Sequence, residues 1–113
     1  MTTKTLIDLQ TEAFGILTGL DPSQQPAVED LMTIGTYVDP LLEQLSADSI
    51  ISITDKNSIS QAVFLPLARL LANVAGPRFG SAMNADAKAA DEAALRRIAA
   101  SRATYAVLEG EYF

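Results

Sequence analysis

The longest and most apolar stretch of the sequence, from Asn57 to Pro77, constrains the fold more than any other part. Its large apolar residues recur every three or four positions: Ile59, Val63, Phe64, Leu67, Leu70, Leu71 and Val74. A band of this width predicts a helix that is packed on more than one side. Ser58 followed by Gln61 matches a capping box at its start, and Gly76-Pro77 marks its end. Because the periodicity continues on both sides of Pro66, we expect this central helix to be kinked there rather than divided.

Three further helices are predicted, over roughly residues 6–18, 27–46 and 85–101. Thr5, with Asp8 three residues later, is the candidate cap of the first, and Thr18-Gly19 is its predicted end. The second keeps its apolar phase through Pro40, which favours one kinked helix. A break, with Asp39 capping a separate short helix, is the alternative. The last is built mostly from alanine, which gives high helicity but little side-chain burial.

These segments predict one all-α domain over residues 1–103, a small bundle of about four helices. Each helix places its apolar stripe towards the others, so a shared core is expected. The core is predicted to include Leu31, Val38, Val63, Leu67, Leu70 and Val74.

The charge of the chain is unevenly distributed. Residues 1–55 contain nine acidic residues and Lys4 alone as a base, whereas residues 56–113 contain seven basic and five acidic residues. The net charge of −6 argues against non-specific binding to nucleic acid. Two interpretations of the asymmetry remain open. It is either a chance drift of charge, or a sign of head-to-tail assembly in which the acidic half of one copy meets the basic half of the next.

Four arginines are the candidate residues for such a subunit interface: Arg78, Arg96, Arg97 and Arg102. Arg96 and Arg97 could contact nucleic acid. The more favoured interpretation is an exposed helix face, where they pair with Asp91, Glu92 or the acids of a neighbouring copy.

The chain contains no histidine and no cysteine. A nucleophile–histidine triad, a disulfide and a thiolate metal site are thereby excluded. Asp55-Lys56-Asn57 opens like a calcium loop but lacks the glycine and the glutamate that such a loop needs. We therefore expect no catalytic residue, no metal and no cofactor, and we expect that the protein is not an enzyme. No apolar run reaches the length of a membrane span, and the start does not resemble a signal peptide, so we expect a soluble protein made in a cytoplasm.

The last ten residues, 104–113, differ in pattern from the rest. Tyr105 and Val107 alternate with smaller or aliphatic neighbours, and two aromatic residues close the sequence. This pattern predicts an extended C-terminal docking arm that lies either on its own domain or on a partner. Its candidate partner-binding residues are Thr104, Tyr105, Val107, Leu108, Tyr112 and Phe113.

The order of these elements includes a long helix ending in LPLARLLANVAGPRFG, an alanine-rich helix with ALRRI, and the end TYAVLEGEYF. In this order the chain resembles the small helical head-to-tail connector proteins of tailed bacteriophages, the adaptor or tail-accessory group linked to packaged-DNA stabilisation. Pro40, Pro66 and the isoleucines of residues 50–53 depart from the group's pattern.

The resemblance implies a structural virion protein at the head–tail junction, made in the cytoplasm of a host bacterium. It would form a homo-oligomeric ring, dodecameric in that group, between the portal protein and the next tail component. DNA would pass through the bore without specific binding, and residues 104–113 would lie on the portal or on a neighbouring subunit. An alternative from another class is a small dimeric helical module that binds or regulates a partner through the same C-terminal segment.

Overall fold

The structure is a computed structural model that describes residues 3–19 and 26–111, with side chains for residues 3–19 and 26–100. The described elements are β1 (Thr3–Lys4), α1 (Leu6–Thr18), α2 (Val28–Gly35), α3 (Val38–Ala47), β2 (Ile59–Ser60), α4 (Gln61–Ala75), a 3-10 turn (Gly76–Phe79) and α5 (Ala85–Glu111). The two strands pair antiparallel over two residues each. The predicted all-α bundle is confirmed.

Helix α1 begins and ends as its sequence predicts. The Thr5 side chain accepts a hydrogen bond from the Asp8 backbone N–H at 3.3 Å, and the Asp8 carboxylate accepts one from the Thr5 backbone N–H at 3.0 Å. These two bonds satisfy amide groups that the first turn of a helix leaves unpaired. At the other end, Gly19 adopts a left-handed conformation with φ 69°, which an L side chain would disfavour.

The predicted second helix is divided into α2 and α3 by a turn at Thr36 and Tyr37. Pro40 lies in the first turn of α3, where a missing amide costs no helical hydrogen bond. The carbonyl that this amide would have bonded in a continuous helix is that of Thr36, and the helix stops at this point. The prediction of a single kinked helix is therefore wrong. The alternative, a break followed by a separate helix, agrees with the structure, but it placed the start of that helix at Pro40, two residues after the observed start at Val38.

Helix α4 continues through Pro66, as predicted. It begins at Gln61 and not at Ser58, because Ile59 and Ser60 pair with β1 and are held extended. Its cap is accordingly Ser60, whose hydroxyl accepts a hydrogen bond from the Ala62 backbone N–H at 3.3 Å. The predicted capping box at Ser58 is therefore wrong, while the predicted end before Gly76 is confirmed.

The core is arranged around α4, which packs against α1 and α5 and also contacts α2 and both strands. Its buried residues are Val63, Phe64, Leu67, Ala68, Leu70, Leu71, Ala72 and Ala75. Of the predicted core residues, Val38, Val63, Leu67 and Leu70 are buried, and Leu31 and Val74 are partly buried against the same cluster. Within the described residues, no helix is long and apolar enough to cross a membrane.

Helix α5 continues to Glu111, about ten residues past its predicted end. This corrects the extended conformation that the sequence predicted for residues 104–111. The alternating pattern covers only four residues, which is a weak signal for a strand. Ala106, Leu108 and Glu109 are good helix formers, so the preceding helix can continue through them. Tyr112 and Phe113 lie outside the described residues.

Replacing Leu70 with alanine tests the assignment of α4 as the centre of the core. Leu70 is fully buried, so Leu70→Ala is expected to lower the free energy of unfolding by about 2–5 kcal/mol, through lost burial and a residual cavity. Leu65→Ala, on the same helix at a side chain that is 51% exposed, is the matched control and should cost much less. Equal losses in urea unfolding would contradict this packing.

The capping box of α1 predicts a small pH dependence of stability. The Thr5 backbone N–H bonds the Asp8 carboxylate and lowers the pKa of Asp8 below its ordinary value of 3.8. A lowered folded-state pKa gives stability that is present above the unfolded-state pKa and is lost as pH falls through the folded-state pKa. The difference in unfolding free energy between wild type and Asp8→Asn should therefore shrink as urea titrations go below pH 3.8. A difference that stays constant with pH would count against this role.

Candidate protein-interaction surfaces

The hairpin of α4 and α5 is held by polar contacts at one end. The Asn73 side chain donates to the Asn84 carbonyl at 2.7 Å and accepts from the Asn84 backbone N–H at 2.8 Å. The Asn84 side chain in turn caps α5 by accepting from the Ala87 backbone N–H at 3.1 Å. One side chain therefore fixes where α5 begins relative to α4.

A partly buried ion pair sets the register further along the hairpin. Arg69 Nε lies 3.0 Å from Asp91 Oδ1, and the Asp91 side chain is 11% exposed. Asn73 lies opposite Asn84, and Arg69 lies opposite Asp91, so the two helices run antiparallel. Extending this register places Ile98 near Gln61, the first residue of α4.

Helix α5 is much longer than the helix it packs against. It has 27 residues and α4 has 15, which correspond to lengths of about 40 and 22 Å. Leu95 is its only fully buried large side chain among the described ones, and Ile98 is partly buried. Since the register brings Ile98 level with the start of α4, the backbone of residues 101–111 continues past the end of its packing partner.

Arg96 and Arg97 are both exposed on α5. The acids expected to pair with them are otherwise engaged, because Asp91 binds Arg69 and Glu92 binds Lys88 at 2.8 Å. Among the described side chains, neither arginine forms a salt bridge. The two guanidinium groups therefore face solvent and are accessible to a second molecule.

The other predicted interface arginines occupy different places. Arg78 is exposed in the 3-10 turn at the opposite end of the hairpin from Arg96. Arg102 belongs to the backbone of α5, but its side chain lies outside the described side chains, as do those of Thr104, Tyr105, Val107 and Leu108. The structure thus brings Arg96 and Arg97 together and separates both from Arg78.

Sequence reasoning missed a groove between the end of α1, the end of α4 and the start of α5. It has a volume of about 310 Å³ and is lined mainly by apolar or small residues: Ile16, Leu17, Ala72, Gly76, Ala82 and Ala87. We call it the α1–α4–α5 groove. These residues are far apart in sequence and mostly small, so no local pattern indicates that they share one concavity.

Sequence reasoning also missed an apolar ridge on the outer side of α2. Val28 is 72% exposed and Met32 is 66% exposed, although both continue the apolar periodicity of their segment. Ile34 is the buried residue of this short helix, so the other two face outwards. We call Val28 and Met32 the α2 ridge. The apolar spacing is thus present in α2, but the break at Thr36 separates it from the apolar stripe of α3.

Among the described side chains, those of residues 3–19 and 26–100, no group of three or more potential ligands could hold a metal ion. No family model, no curated protein and no solved structure matches this chain.

Reversing the exposed arginine pair should separate folding from assembly. Neither side chain is engaged within the described part of the fold, so Arg96→Glu with Arg97→Glu is expected to change the free energy of unfolding by only about 0.5 kcal/mol. Self-assembly, if it uses this pair, should weaken and should do so more at low salt.

The contrasting variant is Arg69→Glu, which places a carboxylate against the nearly buried Asp91 and should destabilise the monomer itself. Native mass spectrometry and thermal melting of both variants make the comparison. Unchanged assembly of the Arg96/Arg97 variant would remove this pair from the interface.

Proposed function

We propose that the protein is a structural connector subunit that forms a ring and joins it to another protein through the C-terminal part of α5. By the sequence resemblance, the setting we propose is the head-to-tail junction of a tailed bacteriophage, with the portal protein on one side and the next tail component on the other. The proposal includes no catalytic activity, no cofactor and no metal.

The observation that carries the proposal is the excess length of α5 over α4. A helix that continues past its packing partner loses the tertiary contacts that stabilise most helices in proteins. It therefore gains most from a second protein that covers it. Residues 104–111 lie in this part of α5. In the sequence, residues 104–113 include three aromatic residues, and aromatic anchors dominate the energetics of many interfaces.

The charge distribution supports assembly from copies of one chain. Most of the acids of residues 1–55 lie in α1, α2 and α3, and the exposed Arg96 and Arg97 lie in α5. Opposite charge on different elements of one subunit steers head-to-tail encounter and disfavours pairing of like surfaces. The net charge of −6 also fits a bore that DNA passes without being held at each subunit.

Stoichiometry tests the proposal most directly. Native mass spectrometry and negative-stain microscopy of the purified protein should show a closed ring of many copies, alone or with the portal protein encoded in the same genome. A stable dimer would favour the alternative, a helical binding or regulatory module. Portal and capsid genes beside this one would support the connector, and metabolic genes would contradict it.

Deletion of residues 104–113 should uncouple partner binding from folding. The deleted residues follow the last described contacts of α5 with α4, so the melting temperature should stay near that of wild type. Helicity should fall only by the contribution of the residues removed. Binding of the ring to its portal protein should be lost, because the removed aromatic residues are the proposed anchors.

The comparison needs melting and portal binding measured on the same truncated protein, with Tyr105→Ala as the milder variant. A truncation that unfolds the bundle would assign the segment to the core. Portal binding that survives truncation would show that the anchor lies elsewhere.

A further inference from the structure

The α2 ridge is the most exposed pair of large apolar side chains among the described residues. Val28 and Met32 are four positions apart, so they lie on the same face of α2, one turn from each other. Glu29 and Asp30 stand beside them in the first turn. A flexible methionine next to a valine on a convex helix face is the composition of a contact surface that can adapt to a partner.

The α1–α4–α5 groove has the complementary shape and a similar apolar character. Its volume of about 310 Å³ is at the lower limit for small-molecule sites, which makes it suitable for one or two side chains. Ile16 at its edge is 45% exposed, and Met83 in the link that forms one wall is 49% exposed. The groove is therefore the concave apolar surface that is opposite in shape to the convex α2 ridge.

The charges around the two surfaces are opposite. Residues 5–55, which include α2, contain nine acidic residues and no basic one. Residues 57–91, which form most of the groove, contain three basic residues and the two acids Asp86 and Asp91, so this segment has a net charge of +1. Arg69 lines the groove and keeps half of its side chain exposed while its Nε binds Asp91, and Arg78 is exposed in the adjoining 3-10 turn. A ridge flanked by acids thus matches a groove at which Arg78 and the exposed part of Arg69 are available to a second molecule, while Asp91 is paired with Arg69.

We infer that the α2 ridge of one copy docks in the α1–α4–α5 groove of a second copy of this chain. The inference rests on the proposed function, for which it supplies the contact between neighbouring subunits. The ridge and the groove share no residue, so one copy can use both at the same time. Such a heterologous contact repeats from copy to copy until a ring closes, whereas a self-complementary contact would stop at a dimer.

Two single substitutions test the two sides of the contact. Met32→Lys places a cation on the ridge, where it would meet Arg69 and Arg78 of the neighbour. Ala87→Glu places an acid on the groove wall, where it would meet Glu29 of the neighbour. Both positions are exposed, so both variants should melt like wild type. Each should raise the dissociation constant of self-association at least about tenfold, as sedimentation velocity would measure.

Mixing the two variants gives the sharper result. The Met32→Lys copy keeps an intact groove, and the Ala87→Glu copy keeps an intact ridge, so an equimolar mixture should form one-to-one pairs. Neither variant should form pairs by itself. Leu65→Lys is the matched control, because Leu65 is 51% exposed and belongs to neither surface, and it should assemble like wild type.

The possible failures are distinguishable. A wild-type protein that stays monomeric both alone and with the portal protein would contradict the proposed function. A wild type that assembles together with an unaffected Met32→Lys or Ala87→Glu variant would overturn the ridge-in-groove contact alone. Two monomeric variants that form no pairs when mixed, or an equal loss of assembly in Leu65→Lys, would overturn it as well.

Discussion

The burial of α4 on several sides is the constraint on which the rest of this fold depends. Leu67, Leu70 and Leu71 are fully buried, and their helix contacts α1, α2, α5 and both short strands. A helix surrounded in this way can keep a proline inside it, because packing holds the backbone on both sides of the lost hydrogen bond. Helix α2 is less enclosed, because Ile34 is its buried residue while Val28 and Met32 are exposed. The same kind of lost bond, at the carbonyl of Thr36, coincides there with a complete break.

The sequence predicted what local chemistry decides and missed what distant residues decide. The Thr5 cap, the glycine exit of α1 and the buried stripe of α4 follow from periodicity and from residues within one turn of each other. The shift of the α4 start to Gln61 depends on pairing with β1, more than fifty residues earlier in the chain. The groove was missed for the same reason, because its walls come from three helices that are distant in the sequence. The helical state of residues 104–111 was missed for another reason, since a four-residue alternation is weaker than the propensity of an alanine-rich helix to continue.

Helix α5 is specified more by polar contacts than by apolar burial. Asn73 and Asn84 fix its start, Arg69 and Asp91 fix its register, and Leu95 supplies one fully buried large side chain. Hydrogen bonds give direction and position, whereas their net contribution to stability is small, about 0.5–1.5 kcal/mol each. The polar contacts thus fix the position and direction of the helix, while few of its described side chains are buried in the core. This is the balance that a subunit needs if the same helix must be folded in the monomer and also be available to a partner.

In the proposed ring, the separated charges would orient neighbouring subunits, and the apolar contact would stabilise their association. An exposed ion pair contributes only about 0–1 kcal/mol, so Arg96 and Arg97 could orient neighbouring copies without holding them together. The α2 ridge in its groove would supply the burial that the charges lack. One such contact is small, but a subunit in a closed ring makes two, and breaking the ring open requires losing contacts whose partners remain at high effective concentration. Contacts of this kind are not self-complementary, so they favour a ring over a tight dimer. The number of copies in the ring would be set by the angle between ridge and groove within one subunit, more than by the strength of either surface.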